Sequence, residues 1–398
     1  MEIAVQDWAS MLVRWVHIIT GIAWIGSSFY FIWLDLSLRQ RDGLPDGAYG
    51  EVWSVHGGGF YHAQKYLVAP KQMPDELHWF KYESYFTWLS GFCLLAIIYY
   101  WGAESFLVDT SKMALQPWQA VLSSLLFLAG GWVIYDLICK SPLGRNTAVL
   151  ATLVFVLIVV SSFGLSQIFS DRAALLHVGA MIGTMMTGNV FFIIIPNQKI
   201  VVEDLKNDRA PDPSLGLQAK QRSTHNNYLT LPVLLMMISN HYPMLSGAEK
   251  GWMIVALILL IGGVVRHYFN FAHAGVKGRG LMWQWPLSAI LLIGLIVLVS
   301  VRSGEDIVAE DVISGPDALA IIQTRCIACH AANPVDPDFE QAPGGLKFED
   351  AESVRKNATR ILAQSVLSKT MPLANRTGMT AEERRQLGGW IRAGMPEE

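Results

Sequence analysis

Cysteine, histidine, methionine and arginine stand in this sequence at spacings that could do redox and anion chemistry. Cys326-Ile327-Ala328-Cys329-His330 is a C-x-x-C-H run, in which two thiols can form thioethers to porphyrin vinyls while the histidine reaches iron from the same turn. A zinc half-site would need a second pair of Cys or His ligands, and residues 331–398 contain neither. One covalent haem c is therefore expected. A methionine thioether as sixth ligand raises the iron potential and suits electron acceptance. Met371, which with Pro372 follows a helical segment over 354–369, is the expected ligand opposite His330. Met379 adjoins Thr380, which forms a capping box with Glu383 and makes Met379 a staple for the last helix. Met395 reads as a mobile near-terminal residue. Leu387 and Trp390 would cover the haem.

Ionisable and amide side chains within apolar segments are costly and usually face a cavity or a partner. Here they fall into two layers. Arg14, His17, His177 and His241 lie near one membrane face. His17 and His177 could hold a haem b, with Arg14 pairing a propionate; alternatively, each imidazole hydrogen-bonds a neighbouring helix or water. Asp35, Glu83, His225, Asn226, Asn227, Arg266, His267, Asn270 and His273 lie near the other face. Arg266 could bind a planar anion through paired donors, Asn226 or Asn227 could match its amide edges, and His225 or His267 could remove a proton. The competing reading of Arg266 and His267 is a charged helix end snorkelling to the interface. His56 and His62, beside Gly57-Gly58-Gly59, read as solvated histidines in a flexible loop.

The elements that must position these groups are mostly apolar. Of 398 residues, 52% are hydrophobic and 16% charged, too apolar for one water-soluble core. Apolar stretches of membrane-crossing length lie near 9–36, 82–102, 118–138, 147–168, 174–195, 228–244, 251–271 and 283–301. Lys and Arg number 14 in the loops 37–81, 139–146, 197–225 and 273–282, and 3 in the loops 103–117, 169–173 and 242–250. The positive-inside rule makes the first set cytoplasmic and puts both termini outside. The N-terminus lacks a basic region before its apolar run, so the first span is expected to be retained. Cys93 and Cys139 read as buried free thiols. A net charge of -3 without basic blocks excludes nucleic acid as a partner.

The predicted fold class is all-α: a polytopic eight-helix transmembrane bundle over 1–302, followed over 303–398 by a small α-helical class I cytochrome c domain. His17 and His177 each precede small residues and an aromatic-aliphatic run, and Tyr85-Phe86-Thr87 matches Tyr228-Leu229-Thr230. Either a four-plus-four repeat or the small-residue spacing of close-packed membrane helices accounts for this.

The segments Arg14–Asp35, His177–Gln198 and Arg222–Pro243, joined to the CIACH domain, resemble the bacterial membrane-bound urate oxidase (urate hydroxylase) family. The resemblance spans essentially the whole chain. It implies an enzyme of the bacterial inner membrane that oxidises urate to 5-hydroxyisourate with water, passing electrons to haem c and onward to a cytochrome c or terminal oxidase. The runner-up is a non-catalytic subunit relaying quinol electrons to cytochrome, and a third class is a transporter or redox sensor. Cytosolic substrate would favour the layer containing Arg266. Such chemistry lies ~30 Å from the outer face and would favour an intervening haem b.

Overall fold

The computed structural model describes residues 5–66, 74–246, 250–300 and 312–397. In chain order its elements are α1 (Val5–Ser37), β1 (Ala48–His56), β2 (Gly59–Tyr66), α2 (Tyr82–Leu95), α3 (Pro117–Lys140), α4 (Thr147–Ile168), α5 (Asp171–Lys206), α6 (Pro213–Ile238), α7 (Gly251–His273), α8 (Gln284–Ser300), α9 (Gly315–Arg325), α10 (Ala351–Lys356) and α11 (Ala381–Arg392). Shorter turns join them.

Six stretches among the described residues are long and apolar enough to cross a membrane: α1, α3, α4, α5, α7 and Gly280–Ser300, which contains α8. α1 buries no residue at all, and its Trp15, Ile18, Ile19 and Ile22 are exposed, as are Leu126 on α3, Val160 on α4 and Ile290 on α8. Apolar faces of this extent suit lipid better than water, so the chain has the character of a multi-pass membrane protein. The two other expected spans form helices with different features. α2 is α-helical for 14 residues and then passes into a π turn, Ala96–Tyr100. α6 starts well before the expected 228, because the polar run Gln218–Asn227 continues the helix instead of forming a loop. α5 likewise runs on to Lys206, so much of the expected loop over 197–225 is helical.

The fold is not purely α-helical. β1 and β2 pair antiparallel with Trp53 opposite His62 and Val55 opposite Phe60. Gly57 and Gly58 adopt φ of 58° and 80° at the turn, a conformation open to glycine, and the flanking Val, Trp, Phe and Tyr favour strands. The expected flexible loop is therefore corrected to a hairpin, while both histidines are exposed as expected. His56 closes β1, while His62 stacks on Trp53 at 4.2 Å and its Nε2 lies 2.7 Å from Glu51 Oε2.

The chain forms two compact units. The first comprises 1–94, 181–234 and 258–292, the second 95–180, 235–257 and 293–398. In the first unit, Gly262 of α7 lies against Pro232 inside α6; a Cβ there would stand 2.5 Å from Pro232 Cδ. In the second, Tyr99, Leu107, Tyr135, Ile158, Leu165 and Phe169 are fully or almost fully buried. Ile322, Phe348, Val354, Leu387 and Trp390 form a further core there among the C-terminal helices. The helix expected over 354–369 is divided into α10, the turn Ala358–Ile361 and a π turn, Leu362–Leu367. The boundary expected at 302/303 lies outside the described residues.

Candidate functional site

In the first unit, α6 and α7 present a buried amide-arginine cluster. Asn227 and Asn270 both accept from Arg266 Nη2, the latter at 3.3 Å. Asn270 is one helical turn beyond Arg266, the spacing at which side chains on a helix meet. The guanidinium lies 4.2 Å over the ring of Phe29 on α1. Arg266 is 5% exposed, its Nε has no hydrogen-bond partner, and no carboxylate among the described residues forms an ion pair with it. A buried cation without a counter-charge is costly, so this arrangement suits an anionic ligand. It also disfavours the snorkelling reading.

Asn226, beside Asn227, faces α5. Its Nδ2 donates to Met186 O at 3.0 Å, while Asn189 Nδ2 donates to its Oδ1 at 2.9 Å. Arg222 Nη1 in turn reaches Asn189 Oδ1 at 3.3 Å. Asn189 opens a π turn, Asn189–Ile194, and is fully buried. Such turns displace the backbone ladder and frequently accompany functional sites. Apolar periodicity does not disclose a π turn, which is why Asn189 was missed; the only available signal was an asparagine inside a long apolar run. His267 Nδ1 lies 2.9 Å from the Tyr228 hydroxyl and its ring packs on Phe271 at 4.1 Å. His225 precedes Asn226 on α6 and is partly exposed.

His17, also in the first unit, has Nδ1 3.0 Å from Thr87 O and 3.1 Å from Ser90 Oγ. Gly91 lies directly against its ring; a Cβ there would stand 2.9 Å from Cε1. Arg14 is exposed and donates to Ser10 Oγ at 3.2 Å. His177, in the second unit, is fully buried with both ring nitrogens engaged: Nε2 with Ser124 Oγ and Nδ1 with Ala173 O, each at 2.7 Å. With Nδ1–H given to the Ala173 carbonyl, the Nε2 lone pair is taken up by the Ser124 hydroxyl. These residues do not fit a bis-histidine haem b held through His177.

The C-terminal residues fit a covalent haem better. Cys326 ends α9, and the N–H of His330 donates to Cys326 O at 2.9 Å, placing both cysteines and the histidine on one turn. Both cysteines are free thiols. Burial and the neighbouring Cys329 push the Cys326 thiol up to about 12, and burial and Asp336 push Cys329 up to about 11, so neither resembles an activated redox dithiol. Burial lowers His330, favouring the neutral form that ligates metal. Its Nδ1 donates to Leu346 O at 2.9 Å, which fixes the ring and leaves Nε2 as the nitrogen that could bind a haem iron. Among the described residues no three His, Cys, Asp or Glu side chains gather as a site for a bare metal ion.

Met371 is partly exposed, and its carbonyl accepts from Arg384 Nη1 at 2.6 Å. Met379 is buried in the core of Ile322, Leu387 and Trp390, in keeping with its expected packing role. Met395 packs on the same core and donates its N–H to Trp390 O at 2.9 Å, instead of being loose.

Residues 3–301 match the family described as Urate oxidase N-terminal. No curated protein and no solved structure matches the chain.

Proposed function

The chain belongs to the urate oxidase N-terminal family, and from that premise we propose that it is a membrane-bound urate-oxidising enzyme whose C-terminal segment carries the electron-accepting haem c. The observation that carries this reading is Arg266, a buried guanidinium flanked by two asparagines and lacking a carboxylate partner. Urate at neutral pH is a planar monoanion with amide edges. Arg266 supplies the charge, Asn227 and Asn270 hold its fork, and Phe29 offers a ring face beside it. Asn226, tied to α5 through its Oδ1 and Nδ2, would read an amide edge with its remaining N–H or lone pair. His267 is the candidate proton carrier on α7, with the Tyr228 hydroxyl as its partner. His225 is the second candidate.

The urate monoanion and water yield 5-hydroxyisourate, one proton and two electrons. A haem c, held by thioethers from Cys326 and Cys329 with His330 and Met371 as axial ligands, would supply one-electron acceptance and pass electrons to a downstream cytochrome or oxidase. In this reading α2 with its π turn and α6 complete eight spans, and loop charge puts both termini on the periplasmic side of a bacterial inner membrane.

The test is spectroscopic. In anaerobic membranes containing the full chain, urate should bleach the oxidised Soret band and bring up the reduced α-band of haem c. Reduction by a quinol but not by urate would overturn the reading in favour of an electron-transfer subunit.

A further inference from the structure

We propose that Glu83 is the base of this urate site: its carboxylate takes the proton from the water that adds to the purine. The inference rests on the proposed function and concerns a residue outside the arginine-amide cluster. Glu83 stands at the start of α2, and its Oε2 is shielded from solvent with no hydrogen-bond partner among the described residues. A desolvated carboxylate oxygen without a donor is as costly as the bare Nε of Arg266. The two opposite charges do not form an ion pair with each other.

The packing of α1 and α2 brings both to one stretch of chain. His17 meets the carbonyl of Thr87 and the hydroxyl of Ser90, and Gly21 faces the Thr87 methyl at 3.9 Å. These helices run in opposite directions at roughly 1.5 Å per residue, so stepping from Thr87 back one turn to Glu83 corresponds to stepping from Gly21 forward towards Ile25. Phe29, on which Arg266 lies, is one further turn along α1. On its other side α2 meets the α5 segment that holds Asn226: Thr187 donates to Ser84 O at 3.5 Å, and Met186 O accepts from Asn226 at 3.0 Å. Arg266 and Asn226 thus belong to helices that reach the neighbourhood of Glu83, through Phe29 of α1 for Arg266 and through Met186 and Thr187 of α5 for Asn226. Each of the three side chains has the chemistry that one part of the reaction needs.

The step balances as follows. A C5–O bond forms to water, and the water's O–H bond breaks with its proton passing to Glu83 Oε2. Two electrons leave the purine, one at a time, for an oxidant of the ferric-haem class. The urate monoanion has already lost one ring proton, so the proton taken from water is the one released, and His267 remains the candidate to carry it onward.

The experiment compares the full-length wild type with Glu83→Gln and Glu83→Asp in anaerobic membranes, reading urate binding by equilibrium dialysis and haem reduction by stopped flow. E83Q should bind urate within about threefold of wild type while its reduction rate falls by roughly 10²- to 10⁴-fold, the span typical of a lost general base. E83D should recover part of that rate. An E83Q rate within threefold of wild type would overturn the inference. If E83Q does not accumulate, E83D decides: a rate equal to wild type overturns the assignment, and a slowed rate with intact binding supports it. Failure of the wild type itself to bind urate or be reduced by it would instead sink the functional reading on which the inference rests.

Discussion

Arg266 and Met371 carry the chemistry most directly exposed to single substitutions. Removing the Arg266 guanidinium leaves Asn227 and Asn270 facing each other without the cation that both accept from. Charge-assisted pairs of this kind contribute roughly 1.5–3 kcal/mol, so Arg266→Ala should raise the urate concentration for half-maximal haem reduction by about 10- to 100-fold. An unchanged half-saturation would place the anion elsewhere. If the proposed haem is present, Met371→Ala should lower its midpoint potential in a redox titration while leaving it attached, because Cys326 and Cys329 would hold it covalently. An unchanged potential would mean another residue supplies the axial sulfur. At this scale the single turn that carries CIACH and the buried position of Arg266 were legible: the first is set by local spacing, and an arginine inside an apolar helix stands out. Asn189 was not legible, because its importance arises from a π turn that tertiary packing imposes on α5. The two engaged nitrogens of His177 were equally hidden, since Ser124 is distant in sequence.

Among the elements, α11 shows how a sequence motif becomes a joint between helices. Thr380 Oγ1 accepts from Glu383 N at 3.1 Å, and Glu383 Oε2 accepts from Thr380 N at 2.7 Å, closing the capping box read from the sequence. The Glu383 carboxylate also receives Arg325 at 2.9 and 3.0 Å, which fastens the start of α11 to the end of α9 immediately before Cys326. Burial pushes Glu383 up, but the Arg325 hydrogen bonds and the Thr380 backbone outweigh it and hold the carboxyl below its ordinary range. A depressed carboxyl stabilises the fold above its unfolded pKa, and that contribution fades as pH falls through the folded value. Acid should therefore loosen the α9–α11 joint in wild type, and Glu383→Gln should flatten this part of the pH dependence when unfolding is followed by Soret circular dichroism. Thr380→Ala should cost about 1 kcal/mol in the same measurement at neutral pH. The α11 start was legible because caps are local. The hairpin of β1 and β2 was not, since two strands embedded between apolar helices leave too short an alternating pattern beside three glycines to outweigh a loop reading.

At the scale of the molecule, the proposed function requires that an enzyme fusing substrate oxidation to its own electron acceptor keep the acceptor docked where electrons emerge. Within the second unit, the turn Ala103–Phe106 that follows α2 meets the C-terminal segment through one polar knot. Arg376 Nη1 donates to Ser105 Oγ at 2.6 Å and lies 3.3 Å from Asp336 Oδ1, and Asp338 accepts from both Ser105 and Arg376. The Ser105 hydroxyl, opposed by partial burial and aided by Arg376, leaves the Asp338 carboxyl below its usual range, so Asp338 is ionised at neutral pH. The knot's charged members are partly exposed, so each ion pair contributes little to folding, and salt should weaken them. Its effect should be on occupancy: a tethered domain reacts in proportion to the time it spends docked. Arg376→Ala should therefore slow urate-driven haem reduction while leaving reduction by dithionite, which needs no docking, unchanged. High ionic strength should slow the wild type in the same way and the variant less. If R376A matches the wild type under both reductants, the apolar contacts around the turn hold the C-terminal segment by themselves, and the polar knot does not set the rate at which electrons arrive.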